Sequence, residues 1–244
     1  MKKSIPISFV FGRLVATLRQ RRGVSAQTLS NKLGSGRGMV AKIEIGHAIP
    51  ALYQLFMLDR GLAAMRACPQ GQLYFQLLEL RARLEQAGVT VTDSQPALPE
   101  MRAMVPDWRA TIDEIAGSIQ SVNSIDQFDC WPDRSDLATG SLVRSLRNTA
   151  GLSQAAFSEG LPFAQSVLST IESGSYSPTL EKLVALELEY LKLGVLDGPG
   201  ALFRMVGELP LLLAANGWPQ DRQEIHRLTD RLARGAAGVS TAVC

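Results

Sequence analysis

Cysteine and histidine are scarce in this chain of 244 residues, which has three cysteines and two histidines. Cys68, Cys130 and Cys244 are far apart and odd in number, which argues against a disulfide framework and fits a reducing cytoplasm. His47 and His226 do not form a Cys/His cluster with the spacing of a zinc site. The sequence therefore predicts a cytoplasmic protein without a metal site, and it implies no cofactor.

Long hydrophobic runs are also missing. The apolar stretch within the N-terminal MKKSIPISFVFGRL is short and is interrupted by Pro6, Ser8 and Gly12, so it is not typical of a secretory signal. The most apolar later run, Leu209 to Ala215, contains Pro210 and is far too short to cross a bilayer. No membrane partner is expected.

Motifs of catalysis are absent as well. The sequence contains no phosphate-binding loop and no nucleophile elbow, so no catalytic residue is assigned and the chain is not predicted to be an enzyme. With 46% hydrophobic and 20% charged residues, the composition is that of a folded globular protein.

Positive charge is concentrated at one end of the chain. Residues 1–50 contain nine Lys or Arg and one acid, Glu44, which gives +8 there and −6 over the remainder for a net charge of +2. Such a cluster indicates a polyanionic partner, whereas a merely solvated basic face is the alternative explanation.

Two segments of the chain repeat each other. A shift of 128 positions aligns Gly12–Pro50 with Gly140–Pro178 without a gap, and a shift of 129 continues the match as far as Gly88 and Gly217. The matched positions include apolar residues, glycines, helix-capping serines and one pair of Arg and Glu. The sequence thus predicts a tandem duplication with about 100 residues in each unit, a normal domain size.

Both copies have the pattern of helices. Leu142, Val143 and Leu146 have the spacing of an apolar helix stripe, and Ser25 and Ser153 are typical N-caps of a second, short helix. The predicted fold class is all-α, with no strand. Further helices are predicted at 51–65, 70–87, 107–122, 179–193, 200–215 and 219–234. The predicted domains are 8–88 and 136–235, separated by a linker at 89–135 and followed by a flexible tail at 236–244.

The second copy carries the clearest motif. Gly151-Leu-Ser-Gln-Ala-Ala-Phe is followed by Ser166-x-Leu168-Ser169-x-Ile171-Glu172-x-Gly174 and by Pro178. This succession resembles the XRE (Cro/lambda-repressor-type) helix-turn-helix family, over about 55 residues. The first copy, from Gly23 to Pro50, is similar to a more diverged member. The resemblance implies a lambda-repressor-like helix-turn-helix domain in each copy.

In this family a second helix braces a third, whose outer face enters the major groove of DNA. Three residues of the third helix in the second copy are expected to point inward: Val167, Leu168 and Ile171. Four polar residues are left to face DNA: Gln165, Ser166, Ser169 and Thr170. The resemblance implies that Gln165, Ser166 and Thr170 occupy base-reading positions. It also implies that Gln154 contacts DNA from the second helix. An exposed helix former is the alternative role of Gln154.

The first copy differs at the corresponding positions, which are Arg37, Gly38, Ala41 and Lys42. Arg37 could read a guanine, and Lys42 could contact a base or a phosphate. Arg21 and Arg22, in the basic cluster, are also assigned to DNA binding. Ala26 stands in place of Gln154. Gly36 and Gly38 lie at the start of the third helix, where each interior glycine costs up to about 1 kcal/mol against alanine. The first copy is therefore expected to bind mainly through charge.

Other matched residues have structural explanations. The resemblance implies that Arg19 with Glu44, and Arg147 with Glu172, tie the first helix to the end of the third, and contact with DNA is the alternative role of these residues. For Tyr176, just after the third helix, a hydrogen bond to a phosphate and a packing role both remain open. The electrostatics of the second copy are less favourable to DNA, because residues 140–193 contain four basic side chains and five acids.

The resemblance implies a sequence-specific transcriptional regulator, repressor-like, from a bacterium, a phage or a mobile element. Its partner is double-stranded DNA. The DNA is bound either by a homodimer or by an intrachain pseudo-dimer, in which the two unlike helix-turn-helix units serve as two DNA-binding heads. The rival hypothesis is an antitoxin-like scaffold, in which one or both units bind a protein partner. No small-molecule effector is assigned.

Overall fold

The structure is a computed structural model that describes residues 4–36, 38–92, 135–217, 219 and 221–240. These residues form two compact units, and the division of the chain lies between Phe128 and Asp129. We call the described residues 4–92 unit 1 and the described residues 135–240 unit 2. The helix predicted at 107–122 and the residues of the tail beyond 240 lie outside the described residues.

The described part of unit 1 consists of helices and two short strands. In chain order they are β1 (Ser4–Pro6), α1 (Ile7–Arg21), α2 (Ala26–Lys32), α3 (Met39–Glu44), α4 (Leu52–Ala64), α5 (Gln72–Gln86) and β2 (Thr90–Thr92). Helix α1 packs against α3 and α5, and α2 packs against α3. The all-α class predicted from the sequence is confirmed.

The described residues of unit 2 form helices joined by turns and loops. Its helices are α6 (Ser135–Thr149), α7 (Gln154–Ser158), α8 (Gln165–Glu172), α9 (Leu180–Lys192), α10 (Ala201–Ala215) and α11 (Arg222–Ser240). The bounds of α6 and α9 equal those of α1 and α4 shifted by 128, and the bounds of α10 equal those of α5 shifted by 129. Helix α11 packs along α6. No helix among the described residues has the length and apolar character that a membrane crossing requires.

The predicted apolar stripe and the predicted helix caps are confirmed. Leu142, Val143 and Leu146 of α6 are completely buried, as their spacing on one helix face requires. The Ser25 hydroxyl accepts a hydrogen bond from the Thr28 amide at 3.0 Å. The Ser153 hydroxyl accepts one from the Ala156 amide at 3.2 Å. These caps satisfy amides that the first turn of a helix leaves unpaired, so α2 and α7 begin where their serines predict.

The prediction that the chain has no strand is wrong. Strands β1 and β2 pair in parallel, with Ser4 opposite Thr90 and Pro6 opposite Thr92. Ile5 and Val91, at the centre of the pair, are buried. The stretch from Val89 to Thr92 alternates valine and threonine, both β-branched and favourable in strands, but three residues give too little periodicity to distinguish a strand from a linker.

In each unit one buried acid of the fourth helix faces the start of the fifth helix, which means α4 and α5 in unit 1 and α9 and α10 in unit 2. The Asp59 carboxylate accepts hydrogen bonds from the amides of Gly71 at 2.6 Å and Leu73 at 3.1 Å, at the start of α5. Glu187 of α9 faces the amides of residues 200–203 at the start of α10. Burial raises the pKa of Glu187 and those amides lower it by less, and its oxygens make no hydrogen bond of good geometry within the described residues. An acid at this place complements the positive end of the helix dipole.

Candidate nucleic-acid interface

A buried ion pair joins α6 to the end of α8. Arg147 donates from Nε to Glu172 Oε1 at 2.6 Å, from Nη2 to Oε2 at 2.9 Å and from Nη1 to the Leu152 carbonyl at 2.6 Å. The hydrogen bonds to Glu172 raise the pKa of Arg147 above its ordinary value. Both side chains are buried, so loss of one partner would leave an uncompensated charge at a cost of about 3–5 kcal/mol.

Unit 1 contains the same arrangement. Arg19 of α1 donates from Nε to Glu44 Oε1 at 2.5 Å and from Nη2 to Oε2 at 2.8 Å, and its Nη1 donates to the Val24 carbonyl. The planar guanidinium matches a carboxylate in two places at once, which fixes direction as well as distance. In each unit one arginine therefore sets the position of the third helix relative to the first.

Two glycines permit the close approach of these helices. A Cβ on Gly12 would lie 2.1 Å from the carbonyl oxygen of Ile43, and a Cβ on Gly140 would lie 2.1 Å from that of Ile171. The contacted atoms are backbone, which cannot move aside without displacing the helix. Glycine is therefore required here for the contact between helices and not for a turn.

A stacked aromatic pair joins α7 to α9. The rings of Phe157 and Tyr190 have centroids 4.8 Å apart with an interplanar angle of 23°. The Tyr190 hydroxyl donates to the Val143 carbonyl of α6 at 2.6 Å. Complete burial raises the pKa of Tyr190 well above its ordinary value, so the hydroxyl stays neutral and remains a donor. Helices α6, α7 and α9 are thus fixed relative to one another.

The outer face of α8 is polar and uncharged. Leu168 and Ile171 are completely buried, as predicted, whereas Val167 is only half-buried. The residues that remain on the surface of the helix are Gln165, Ser166, Ser169 and Thr170, all of them exposed. The Thr170 hydroxyl donates to the Val167 carbonyl at 2.8 Å, so it offers a methyl group and an acceptor to a partner. Amide and hydroxyl groups of this kind match the donors, acceptors and thymine methyl in the major groove.

Gln154 lies at the start of α7 but is turned toward the framework. Its amide nitrogen donates to Glu172 Oε2 at 2.7 Å, and the residue is half-buried. The side chain therefore links the braced end of α8 to α7. A role of Gln154 in positioning α8 explains this geometry better than the exposed helix former considered from the sequence.

Tyr176 lies after α8 beside the start of α9. Its side chain is exposed, and Lys182 Nζ is 5.5 Å from the centre of its ring. A cation over an aromatic face is attracted by the ring, and this pair places a hydroxyl and an ammonium group on the same surface. The motif does not indicate Lys182, because its helix lies beyond the motif.

The corresponding face of unit 1 is less regular. Helix α3 begins at Met39, two positions later than its counterpart α8. The reason is that Gly38 takes a left-handed conformation, with φ of 79°, and is the N-cap of the helix. The sequence expectation placed Gly38 inside the helix, and the cost assigned to it there does not apply. Ala41 and Lys42 are exposed, and Arg37 lies outside the described residues.

The surface charge of unit 1 is positive beyond its N-terminal cluster. Within the described part of residues 4–66 the two acids, Glu44 and Asp59, are both buried. The exposed charges there are all basic: Arg21, Arg22, Lys32, Lys42, Arg60 and Arg66. Arg22 donates to the Arg66 carbonyl, which brings α1 and the end of α4 together. Arg60 and Arg66 were missed from the sequence, because a cluster counted over residues 1–50 cannot include a helix that folds back to it.

Comparison with known proteins identifies one part of the chain. Residues 138–188 match the model of a family described as a helix-turn-helix domain. The match begins in α6, ends in α9 and contains the Arg147–Glu172 pair and the whole of α8. Neither the curated proteins nor the solved structures gave a significant match. Unit 2 thus contains a helix-turn-helix domain, which indicates a DNA-binding regulator at the level of class.

Proposed function

We propose that the chain is a sequence-specific transcriptional regulator, repressor-like, in which unit 2 reads DNA and unit 1 holds it. The observation that carries this proposal is the outer face of α8. It consists of exposed, uncharged polar side chains on a helix whose position is fixed by the Arg147–Glu172 pair. A rigid support of this kind favours base recognition, because side chains that read bases must be held in register with them.

Sequence reading is assigned to Gln165, Ser166 and Thr170. Gln165, at the first position of α8, can pair with adenine through both atoms of its amide, and the hydroxyls are less selective. No acid interrupts the outer face of α8, whose one carboxylate, Glu172, is buried in the ion pair. Although the described residues of unit 2 contain more acids than basic side chains, the outer face of α8 itself carries no negative charge and is compatible with direct contact at this helix.

Affinity is assigned to unit 1. The exposed charges of its described residues 4–66 are all basic, and contacts of Lys and Arg with phosphates supply most of the affinity for DNA that does not depend on sequence. Ala41 offers little to a base edge, and Gly38 has no side chain. Lys42 and Arg37 are then the candidates for direct contact with DNA from this head.

The agreement of the helix bounds supports a tandem duplication of an XRE-type domain, with the two units as unlike heads. A covalent pseudo-dimer of this kind would bind an asymmetric site, with half-sites about 34 Å apart if the heads lie one helical turn from each other. A homodimer would present four heads and a longer site. As the XRE resemblance implies, we place this regulator in the bacterial cytoplasm, encoded by the bacterium itself, by a phage or by a mobile element.

Selection of bound sequences from a random DNA pool tests the proposal. The full chain should enrich one motif, and Gln165→Ala should relax the preference at one base pair with a loss of about 1–3 kcal/mol of discrimination there. Gln223→Ala, at an exposed glutamine of α11, is the matched control and should leave the motif intact. Failure to enrich any sequence at moderate salt would exclude a sequence-specific regulator.

One observation favours an antitoxin-like scaffold as a second candidate. Ile45, directly after α3, and Tyr53 of α4 are 51% and 43% exposed. Large exposed apolar side chains near the recognition position fit a protein partner better than a phosphate backbone. The salt dependence of DNA binding distinguishes the two functions of unit 1. Lys42→Ala should reduce the slope by about one if unit 1 contacts phosphate, and an unchanged slope would favour the scaffold.

A further inference from the structure

Unit 2 has a cavity of about 100 Å³ where the middle of α6, the end of α8 and the start of α11 meet. Two arginines and a histidine line it: Arg144 of α6 and Arg222 and His226 of α11. Ser141 and Ser173 contribute hydroxyl oxygens, and the Glu172 side chain forms part of the wall. The remaining lining residues, Leu137 and Ile225, are apolar, so basic side chains from two helices form part of the lining.

The carboxylate in the wall does not neutralise the two arginines. Glu172 already accepts hydrogen bonds from Arg147 and Gln154 at distances between 2.6 and 2.9 Å. Arg144 makes only longer contacts with the same residue, 3.7 Å from Nε to Oε2 and 3.5 Å from Nη2 to the carbonyl oxygen. Its guanidinium therefore has donors left to offer to another acceptor.

The serines and the histidine order the other side of the cavity. Ser141 Oγ lies 3.0 Å from His226 Nδ1 and 2.8 Å from the Thr229 hydroxyl. The Thr229 hydroxyl itself donates to carbonyls of its own helix, so it accepts from Ser141. Ser141 is also hydrogen-bonded to Nδ1 of His226, whose Nε2 lies 3.7 Å from Asp230 Oδ2. This network fixes the start of α11, and with it Arg222, against α6.

The repeated framework does not require an arginine at this place. The counterpart of Arg144 at the shift of 128 is Ala16, which is buried in α1, and the counterpart of Ser173 is the exposed Ile45. Unit 1 keeps the same helices, the same ion pair and the same close glycine without these side chains. The basic lining of the cavity is therefore an addition to unit 2 alone.

We propose that this cavity is a binding site for a phosphate group, held between the guanidinium groups of Arg144 and Arg222. A cavity of about 150 Å³ accommodates benzene, so 100 Å³ suits a group of about five non-hydrogen atoms, which a phosphate has. Two arginines from different helices match its tetrahedral oxygens with charge-assisted hydrogen bonds. The phosphate belongs either to a small molecule or to the backbone of bound DNA.

Titration of the full ¹⁵N-labelled chain with inorganic phosphate tests the site without DNA. Ionic strength is held constant with sodium chloride, and amide shifts are followed. We expect saturable shifts at the start of α11 and the end of α8, and a loss of affinity of about tenfold or more in Arg222→Ala. Arg222 is exposed, so its variant should fold, and Arg222→Glu should abolish binding.

Arg227→Ala is the matched control, because Arg227 is an exposed arginine of α11 outside the cavity. It should leave phosphate affinity unchanged. A titration without saturation, or an equal loss in Arg222→Ala and Arg227→Ala, would overturn the proposal, since either result would reflect general screening of charge.

The source of the phosphate is decided with DNA. If the backbone supplies it, Arg222→Ala should reduce the salt slope of DNA binding by about one. If a small molecule supplies it, the slope should stay unchanged and free phosphate should alter DNA affinity in the wild type but not in the variant. The site itself rests on the titration alone, so a failure of DNA binding leaves that result standing.

Discussion

Asp59 and Glu187, which lie 128 positions apart, occupy equivalent positions: each is buried in the fourth helix of its unit and faces the first amides of the fifth. Burial is the main cause that raises the pKa of Asp59 to about 6 and the pKa of Glu187 to about 7. Nearby amides lower both values, but by less than burial raises them. These carboxyl groups therefore bind protons more tightly in the folded chain than in the unfolded one.

The stability of unit 2 should decrease as the pH rises through neutrality. A raised carboxyl pKa contributes stability that is complete below the ordinary value of 4.5 and is lost as the pH passes about 7. Glu187→Gln should remove this dependence. The free energy of unfolding of the variant relative to the wild type should therefore increase between pH 5 and pH 8, by at most on the order of 3 kcal/mol. Urea unfolding at both pH values measures it. Glu208→Gln, at an exposed acid of α10, should show no such trend.

Loss of Arg147 should strongly destabilise unit 2. Arg147→Met leaves the buried Glu172 carboxylate without its main partner, and we expect the free energy of unfolding to fall by about 3–5 kcal/mol. Arg204→Met is the control, because the Arg204–Asp197 pair is half exposed and pairs at the surface contribute about 0–1 kcal/mol. Equal losses in the two variants would contradict the structural importance of the buried pair.

Gly140→Ala should displace α8 from α6. The added Cβ would lie 2.1 Å from the Ile171 carbonyl oxygen, so the helices must separate and the contacts of Leu168 and Ile171 must loosen. We expect a lower melting temperature and weaker DNA binding. Gly235→Ala, at a helical glycine of α11 with nothing within 4 Å, should instead stabilise the chain by up to about 1 kcal/mol. Unchanged melting of Gly140→Ala would show that the contact between these helices is looser than described.

Tyr176→Phe separates the two roles that remain open for Tyr176. The substitution keeps the ring beneath Lys182 and removes only the hydroxyl. If the hydroxyl donates to a phosphate, DNA affinity should fall by about 1.5–3 kcal/mol while the melting temperature stays unchanged. If the ring only packs, neither quantity should change, whereas Tyr176→Ala should lower stability. Fluorescence anisotropy and thermal melting on the same samples give both answers.

The elements of the fold could be predicted where local rules decide them. The spacing of Leu142, Val143 and Leu146 predicts a buried stripe, and Ser25 and Ser153 predict helix starts, because stripes and caps depend only on neighbours along the chain. The pair of strands was missed, since Ile5 and Val91 become partners only after the chain has folded. The sequence also places Gly38 in the helix, because its neighbours along the chain do not show that it takes the left-handed conformation of a cap.

The candidate site was predictable only in outline. The periodicity of α8 indicates which side chains are buried and leaves Gln165, Ser166 and Thr170 outside. The hydrogen bond from Gln154 to Glu172 spans two helices and could not be read from the spacing of either. Arg144 and Arg222 come from segments 78 positions apart, and only the packing of α11 on α6 brings both to one cavity.

The pairing of β1 with β2 imposes an order of events on synthesis. Ser4 is made 86 residues before its partner Thr90, which corresponds to roughly 4–17 s at about 5–20 residues per second. During that interval β1 has no strand to join, whereas α1 can already pack on α3. The first residues of unit 1 to be translated are thus among the last to reach their final place, and a nascent chain stopped before Thr90 would present Ile5 uncovered by its partner strand.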